Sequence, residues 1–181
     1  MDDIIEYEEE IKESKLKKII IMIVGAILIL LFLSYSLLGY PVNEILEGQI
    51  KAKSIIGNQI ELGDLTIIFE NNTQIILEQI YTQEQEQNLV ETSVCLSGYT
   101  QDNNSKYYIS SLFYPEIYEQ SFNHVNFESC PNDTLIMLHT HPYKRCLASK
   151  TDIKTLNNVK KNSPNTIMIV MCENNKFSVY S

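Results

Sequence analysis

At 181 residues, 44% of them hydrophobic, the chain is long enough to fold as one globular domain with a sizeable core. It carries 14 Lys and Arg against 23 Asp and Glu, a formal net charge of -9, whereas a phosphate-binding surface needs clustered basic side chains. We therefore expect no nucleic acid among its partners.

An uncharged apolar stretch lies near the N-terminus. Residues 19–39 read IIIMIVGAILILLFLSYSLLG, and at about 1.5 Å per residue a helix of this length spans roughly 32 Å, enough to cross a lipid bilayer. Apolar side chains cover all its faces, which favours a transmembrane helix over a buried core helix. The segment before it, residues 1–18, is longer and more acidic than the N-terminal region of a signal peptide, so we expect an uncleaved anchor.

Lysines near this stretch predict its orientation. Four precede it and two follow it closely: Lys12, Lys15, Lys17, Lys18, then Lys51 and Lys53. The positive-inside rule then predicts a single-pass membrane protein with residues 1–18 as a cytosolic tail. We interpret this tail as solvated, with a short amphipathic helix as the alternative. Residues 40–59 are interpreted as a membrane-proximal linker that includes at most one strand.

Residues 60–181 have the pattern of a mixed α/β domain. We predict helices at 71–91 and about 151–161, and strands at 65–70, 93–99, 106–115, 134–142, 166–172 and 176–180. The runs TLIML and TIMIVM are continuously apolar, which is typical of central strands covered on both faces. The sequence therefore predicts one domain with a mixed central sheet flanked by helices.

Two histidines follow the TLIML run. Successive side chains of a strand point to opposite faces, so His139 and His141 project together while Thr140 faces away. Two imidazoles on one face offer two nitrogen ligands to a divalent metal, although a pair of surface histidines at a strand end is the alternative. Pro142 cannot donate a ladder hydrogen bond and ends the strand.

Ser149 and Asp152 begin the next predicted helix and allow two interpretations. A Ser at the N-cap with an acidic residue three places on is a capping box. The same carboxylate is also the kind of third ligand that catalytic zinc sites use beside a water. Ser149 is compatible with both roles, whereas we expect Asp152 to have difficulty serving as cap partner and ligand together.

Residues 139–152, HTHPYKRCLASKTD, match H-[ST]-H-P-x(6)-S-x-x-D without a gap. This pattern resembles the signature of the JAMM (MPN+, or JAB1/MPN/Mov34) zinc metalloproteases. The resemblance covers about residues 60–181, and it implies a single MPN domain with a cytidine-deaminase-like fold and one Zn²⁺ per chain.

The same family has a glutamate upstream, opening a strand that reads roughly E-x-x-G-x-L-x-G. Here the segment ETSVCLSG begins with Glu91 and ends with Gly98. Val94 stands where the family often has Gly, a departure that leaves the acid in place. With this glutamate present, the chain resembles a catalytically competent member of the family.

The resemblance also implies a role for each residue. His139, His141 and Asp152 would hold the zinc ion, which lowers the pKa of a bound water towards neutrality and polarises the scissile carbonyl. Glu91 would act as general base towards that water and then protonate the leaving amine. Ser149 would donate a hydrogen bond to the oxyanion.

The cysteines do not have zinc-knuckle spacing, since no two of the four lie two to four residues apart. Archaeal proteins of the JAMM family are similar in placing cysteines in the loop after the metal-binding strand and at the end of the strand after the next helix. The resemblance therefore implies a disulfide between Cys146 and Cys172, with an exposed thiol near zinc and an inert buried thiol as alternatives.

In this family the bond cut is usually the one after the C-terminal Gly-Gly of ubiquitin or a ubiquitin-like protein, so a ubiquitin-like modifier or its conjugates are the implied substrate and partner. With about twenty residues after the predicted helix at 151–161, the domain resembles the compact prokaryotic, archaeal-like type.

Two alternative functions stay open: a non-catalytic zinc-binding assembly module, and an envelope metallopeptidase with an unrelated peptide substrate. The side of the membrane also stays open, because the lysine bias places the domain outside whereas ubiquitin-like conjugates are cytosolic.

Overall fold

A computed structural model of the chain describes residues 2–37 and 42–181, with side chains over 15–35, 44–85 and 87–181. The chain divides into two compact units, Met1–Val42 and Asn43–Ser181.

The first unit is built from one long helix, α1 (Asp2–Leu37). Within it, Lys15–Tyr35 is 21 residues long, has a mean hydropathy of 2.7, and is long and apolar enough to cross a membrane. None of this stretch is buried. The expected end of the span, Gly39, lies outside the described residues. The backbone of residues 2–18 is helical and continuous with the apolar part of α1.

The second unit is a mixed α/β domain, as the sequence predicts. Its elements are α2 (Val42–Lys51), β1 (Lys53–Ser54), β2 (Gln59–Leu62), β3 (Leu65–Phe69), α3 (Thr73–Tyr81), β4 (Ser93–Gln101), β5 (Lys106–Phe113), β6 (Ile117–Gln120), β7 (Val125–Phe127), β8 (Thr134–Thr140), α4 (Lys150–Val159), β9 (Ile167–Glu173) and β10 (Lys176–Tyr180).

Eight of the strands form one mixed sheet in the order β1-β10-β9-β8-β4-β5-β3-β2. The pairs β3–β5 and β8–β9 are parallel and the other pairs are antiparallel. Strands β6 and β7 form a separate hairpin. The strand that carries the histidines, β8, therefore lies in the middle of the sheet, between β4 and β9.

Helices cover the two faces of the central strands. Alternate residues of β8, including Ile136 and Leu138, belong to a large apolar core together with residues of α3. Met137 belongs to a second core with Leu156 of α4. Because neighbouring residues of a strand face opposite ways, the two cores lie on opposite sides of the sheet. Central strands covered on both sides are thus confirmed.

The helix predicted at 71–91 is shorter than expected. Regular α-helix ends at Tyr81, residues 82–87 form a π-helical segment, and the chain then leaves the helix. One local and one tertiary hydrogen bond favour the change: the Gln85 side-chain amide donates to the nearby Val90 carbonyl and to the Thr140 hydroxyl on β8. A continuous α-helix would break these bonds, and Glu91 consequently lies in extended chain just before β4.

The interpretation of residues 40–59 as a linker is wrong for the part that the structure describes. Residues 42–51 form α2, and the compact domain begins at Asn43. Small side chains let this helix pack closely, because Gly48 is buried against the loop after β8, and Ala52, just beyond the helix, joins a buried cluster with Cys146 and Cys172.

Gly98 permits the close approach of β4 and β5. A Cβ at this position would collide with the Tyr108 carbonyl oxygen, at the point where the register of the two strands shifts. We expect Gly98→Ala to lower the free energy of unfolding by about 1–3 kcal/mol, since backbone must move. Denaturant unfolding measures this, with exposed Ser111→Ala as control. Equal stability of the two variants would contradict the close contact.

Candidate metal centre

The pairing of β4 with β8 brings Glu91 and His141 together. The antiparallel register places Ser93 opposite His139, and the Thr140 N–H donates to the Thr92 carbonyl at 3.0 Å. Continuing that register by one further residue places Glu91 opposite His141. Directly opposed residues of an antiparallel pair point to the same face, so the two side chains meet there.

The start of α4 supplies the remaining side chains through a complete capping box. The Asp152 N–H donates to Ser149 Oγ at 3.1 Å, and the Ser149 N–H donates to Asp152 Oδ2 at 2.7 Å. This arrangement fixes the first turn of α4. It also leaves the hydroxyl proton of Ser149 free to be donated elsewhere, because a hydroxyl can accept and donate at once.

Three of the predicted site residues form one buried cluster. His141 Nε2 lies 3.6 Å from Glu91 Oε1 and 3.5 Å from Asp152 Oδ2. The imidazole side chain is only 1% exposed, and the two carboxylate side chains are 9% and 13% exposed. Asp152 Oδ2 therefore caps α4 and also approaches His141. The capping role expected from sequence is observed, and the ligand role stays a prediction.

Burial and neighbouring charges alter the pKa values of this cluster. Burial raises the pKa of Glu91 to about 7; the Asp152 charge adds to that rise, whereas His141 and Arg145 oppose it. For Asp152, burial alone would raise the pKa, but interactions with His141, His139 and Ser149 together hold it below its usual value. At neutral pH one carboxyl is thus ionised while the other is poised to exchange a proton.

His139 is neutral at pH 7, and its Nε2 has no hydrogen-bond partner among the residues that the structure describes. Burial, with a smaller contribution from His141, lowers its pKa to about 4 against the opposing charge of Asp152. Its Nε2 is buried without a hydrogen-bond partner, and its ring lies edge-on to Phe127 at 5.6 Å between ring centroids. Leaving a buried polar atom unpaired costs about 1–3 kcal/mol, and a bound metal would remove that cost.

One pair of donor atoms, His141 Nε2 and Asp152 Oδ2, has the spacing of two zinc ligands. Two ligand atoms bound at about 2.0–2.1 Å in a tetrahedral site lie roughly 3.3 Å apart, close to the 3.5 Å between His141 Nε2 and Asp152 Oδ2. As it stands, however, no group of three or more His, Cys, Asp or Glu side chains in the described residues could hold a metal ion. The ligand set His139, His141 and Asp152 stays a prediction.

Two disulfides crosslink the strands and loops that carry these residues. Cys146 is joined to Cys172 and Cys95 to Cys130, with Cα–Cα distances of 5.0 and 5.7 Å. The first ties the loop between β8 and α4 to the end of β9. The second ties β4 to the loop before β8. The sequence analysis does not predict it, because the spacing of four cysteines does not determine which of them are paired.

Sequence reasoning also missed two neighbours of the site. Arg145 lowers the pKa of Glu91 through its charge, and Phe127 packs on His139 from the β6–β7 hairpin. Arg145 could have been considered, because it lies within the HTHPYKRCLASKTD segment. Phe127 could not, since only the fold brings the hairpin to the histidine.

Compared with protein-family models and with curated proteins, the chain matches none. The resemblance to the JAMM family therefore depends on the motif residues themselves.

The buried Glu91 makes the stability of the metal-free chain depend on pH. Since its pKa rises on folding from 4.5 to about 7, its ionisation opposes folding. The stabilising contribution of Glu91 is fully present below about pH 4.5 and is lost as the pH rises through about 7. We expect Glu91→Gln to be more stable than wild type by about 3 kcal/mol above pH 8, and equal to it at pH 4.

Denaturant unfolding of the full-length chain in detergent with a chelator, at pH 4, 6 and 8, measures this difference. A difference between the two proteins that does not change with pH would contradict the raised pKa of Glu91.

Proposed function

We propose that this chain is a membrane-anchored zinc metallopeptidase of the JAMM type, with one MPN domain, and that it hydrolyses a peptide or isopeptide bond. The observation that carries the proposal is the buried cluster of Glu91, His141 and Asp152, with atoms 3.5–3.6 Å apart. These residues, distant in sequence, occupy the motif positions to which the resemblance assigns base and ligands.

The unpaired Nε2 of His139 supports the ligand assignment, because a buried imidazole without a hydrogen-bond partner is available to a metal. His139, His141 and Asp152 would hold one Zn²⁺ per chain. When bound, zinc supplies an acidified water and polarises the substrate carbonyl. The hydrogen bond from the Ser149 N–H to Asp152 orients the carboxylate, as is usual for metal-ligating carboxylates.

Glu91 and Ser149 then perform the remaining chemistry. The Glu91 carboxylate accepts a proton from the attacking water and returns it to the leaving amine, a task suited to a pKa of about 7. The Ser149 hydroxyl already accepts the Asp152 N–H, so its proton is directed to another acceptor. A hydrogen bond from this hydroxyl to the oxyanion would stabilise the transition state by about 3–4 kcal/mol.

For the substrate we propose the bond after the C-terminal Gly-Gly of a ubiquitin-like modifier. The apolar stretch Lys15–Tyr35 would anchor the enzyme in the bilayer as a single-pass protein.

A second candidate, an envelope metallopeptidase with an unrelated peptide substrate, is favoured by the disulfides. Both cysteine pairs are bonded, and disulfides persist mainly in oxidising compartments. This agrees with the lysine bias, which places the catalytic domain outside the cytosol.

Zinc content tests the ligand assignment. We expect one zinc per wild-type chain and none in the His139→Ala, His141→Ala double variant, because two of three ligands are lost. Metal analysis after dialysis measures this, with exposed His124→Ala as matched control. Full stoichiometry in the double variant would refute the assignment.

The rate of substrate cleavage tests whether Glu91 is the general base. Glu91→Gln should keep zinc but cleave a Gly-Gly-linked fusion, or an envelope peptide, roughly 10²–10⁴-fold more slowly, because the amide cannot accept the proton. Exposed Glu119→Gln is the control. Wild-type rates in the Glu91 variant would show that another group acts as base.

The oxidation state of the four cysteines tests whether the domain lies outside the cytosol. If the domain is outside the cytosol, peptide mapping of thiol-blocked native membranes should recover Cys146 linked to Cys172 and Cys95 linked to Cys130. Each bridge would stabilise the fold by about 3–4 kcal/mol in the chain-entropy model. Recovery of all four as free thiols would contradict the extracytosolic placement.

A further inference from the structure

Helix α2, which precedes the domain's first strand, lies against the loop that joins β8 to α4. This loop, residues 142–148 and here called the β8–α4 loop, runs from His141 to Ser149. Its course therefore sets where the first turn of α4, with Ser149 and Asp152, lies relative to His141.

Backbone conformation makes this loop dependent on its surroundings. Tyr143 and Lys144 have φ angles of 58° and 57°, in the left-handed region that residues with a Cβ rarely adopt. Two consecutive residues in this region persist only where neighbouring groups hold them.

Gln49 of α2 holds the loop at this strained point. Its side-chain amide donates to the Lys144 carbonyl at 2.9 Å and contacts Cys146 Sγ at 3.2 Å. Its carbonyl oxygen accepts from the Lys176 ammonium group on β10. The side chain thus connects the loop to the sheet, in addition to the Cys146–Cys172 disulfide.

Two further contacts join α2 to the same loop. Arg145 Nη2 donates to Glu44 Oε2 at 3.3 Å. A Cβ built on Gly48 would lie 3.1 Å from the Leu147 nitrogen and 3.2 Å from the Cys146 carbonyl carbon, so helix and loop backbones are in contact. Glu44, Gly48 and Gln49 therefore all contact the β8–α4 loop, so α2 is packed against the loop over more than one helical turn.

We propose that α2 is a positioning element of the metal site, and that Gln49 is its positioning residue. By holding the β8–α4 loop, Gln49 fixes the spacing between His141 and the Ser149–Asp152 turn. This inference rests on the proposed function, since it assigns a role in a metal site.

Replacing Gln49 by Glu separates this role from simple structural support. Glutamate keeps the length of the side chain and can still accept from Lys176, but it cannot donate to the Lys144 carbonyl. Gly48→Ala is the second variant: it keeps every side-chain bond while its Cβ presses on the loop. Gln101→Glu, an exposed position on β4, makes the same charge change away from the loop and is the matched control.

The full-length proteins, purified in detergent and freed of metal, are titrated with Co²⁺, whose visible spectrum reports ligand geometry. We expect roughly tenfold weaker Co²⁺ binding by Gln49→Glu than by the control, as for loss of groups that orient ligands. We also expect an altered Co²⁺ spectrum in both α2 variants. Hydrogen exchange of residues 143–148 in the metal-free Gln49→Glu protein should be faster, at an unchanged thermal midpoint.

Co²⁺ affinity, spectrum and loop exchange equal to those of Gln101→Glu would overturn the inference while leaving the proposed function intact. A loss of affinity that merely follows a lowered thermal midpoint would also overturn it, because the role would then be structural. Failure of the wild type to bind Co²⁺ would overturn the proposed function, and this inference with it.

Discussion

The antiparallel register of β4 and β8 is the constraint on which the site depends. It sets Ser93 opposite His139 and so brings Glu91 level with His141, at the ends of two central strands that are covered on both faces. A slip of one residue would turn the glutamate to the opposite face. Gly98 lets β5 pair closely with β4, because a Cβ at this position would collide with the β5 backbone.

Burial gives the cluster its chemistry. Ionisable groups removed from water must be paired, neutralised or bound to metal. Asp152 is ionised and supported by its capping hydrogen bond, Glu91 is poised near neutrality, and His139 is neutral. Such divergent behaviour among neighbouring groups is typical of catalytic sites, although structural ion-pair networks produce it too.

The sequence predicts most of the fold where the local pattern is decisive. The apolar runs predict β8 and β9, and the capping box predicts the start of α4. The uncharged stretch predicts the apolar part of α1. It did not predict α2 as part of the domain, the π-helical segment, or the Cys95–Cys130 bridge. Each of these depends on tertiary contacts, such as those of Gln49 and Gln85, that no local pattern encodes. Likewise the motif identifies candidate residues, but only the fold shows which of them meet: the strand register brings Glu91 to His141, and the first turn of α4 brings Asp152 to it.

The central claim is that His139, His141 and Asp152 hold a single zinc ion. X-ray absorption at the zinc edge of the purified full-length protein tests it most directly, because nitrogen or oxygen ligands lie at about 2.0–2.1 Å whereas sulfur lies at about 2.3 Å. We expect two imidazoles plus oxygen ligands and no sulfur. A shell of sulfur ligands, or protein that holds no zinc, would contradict the account.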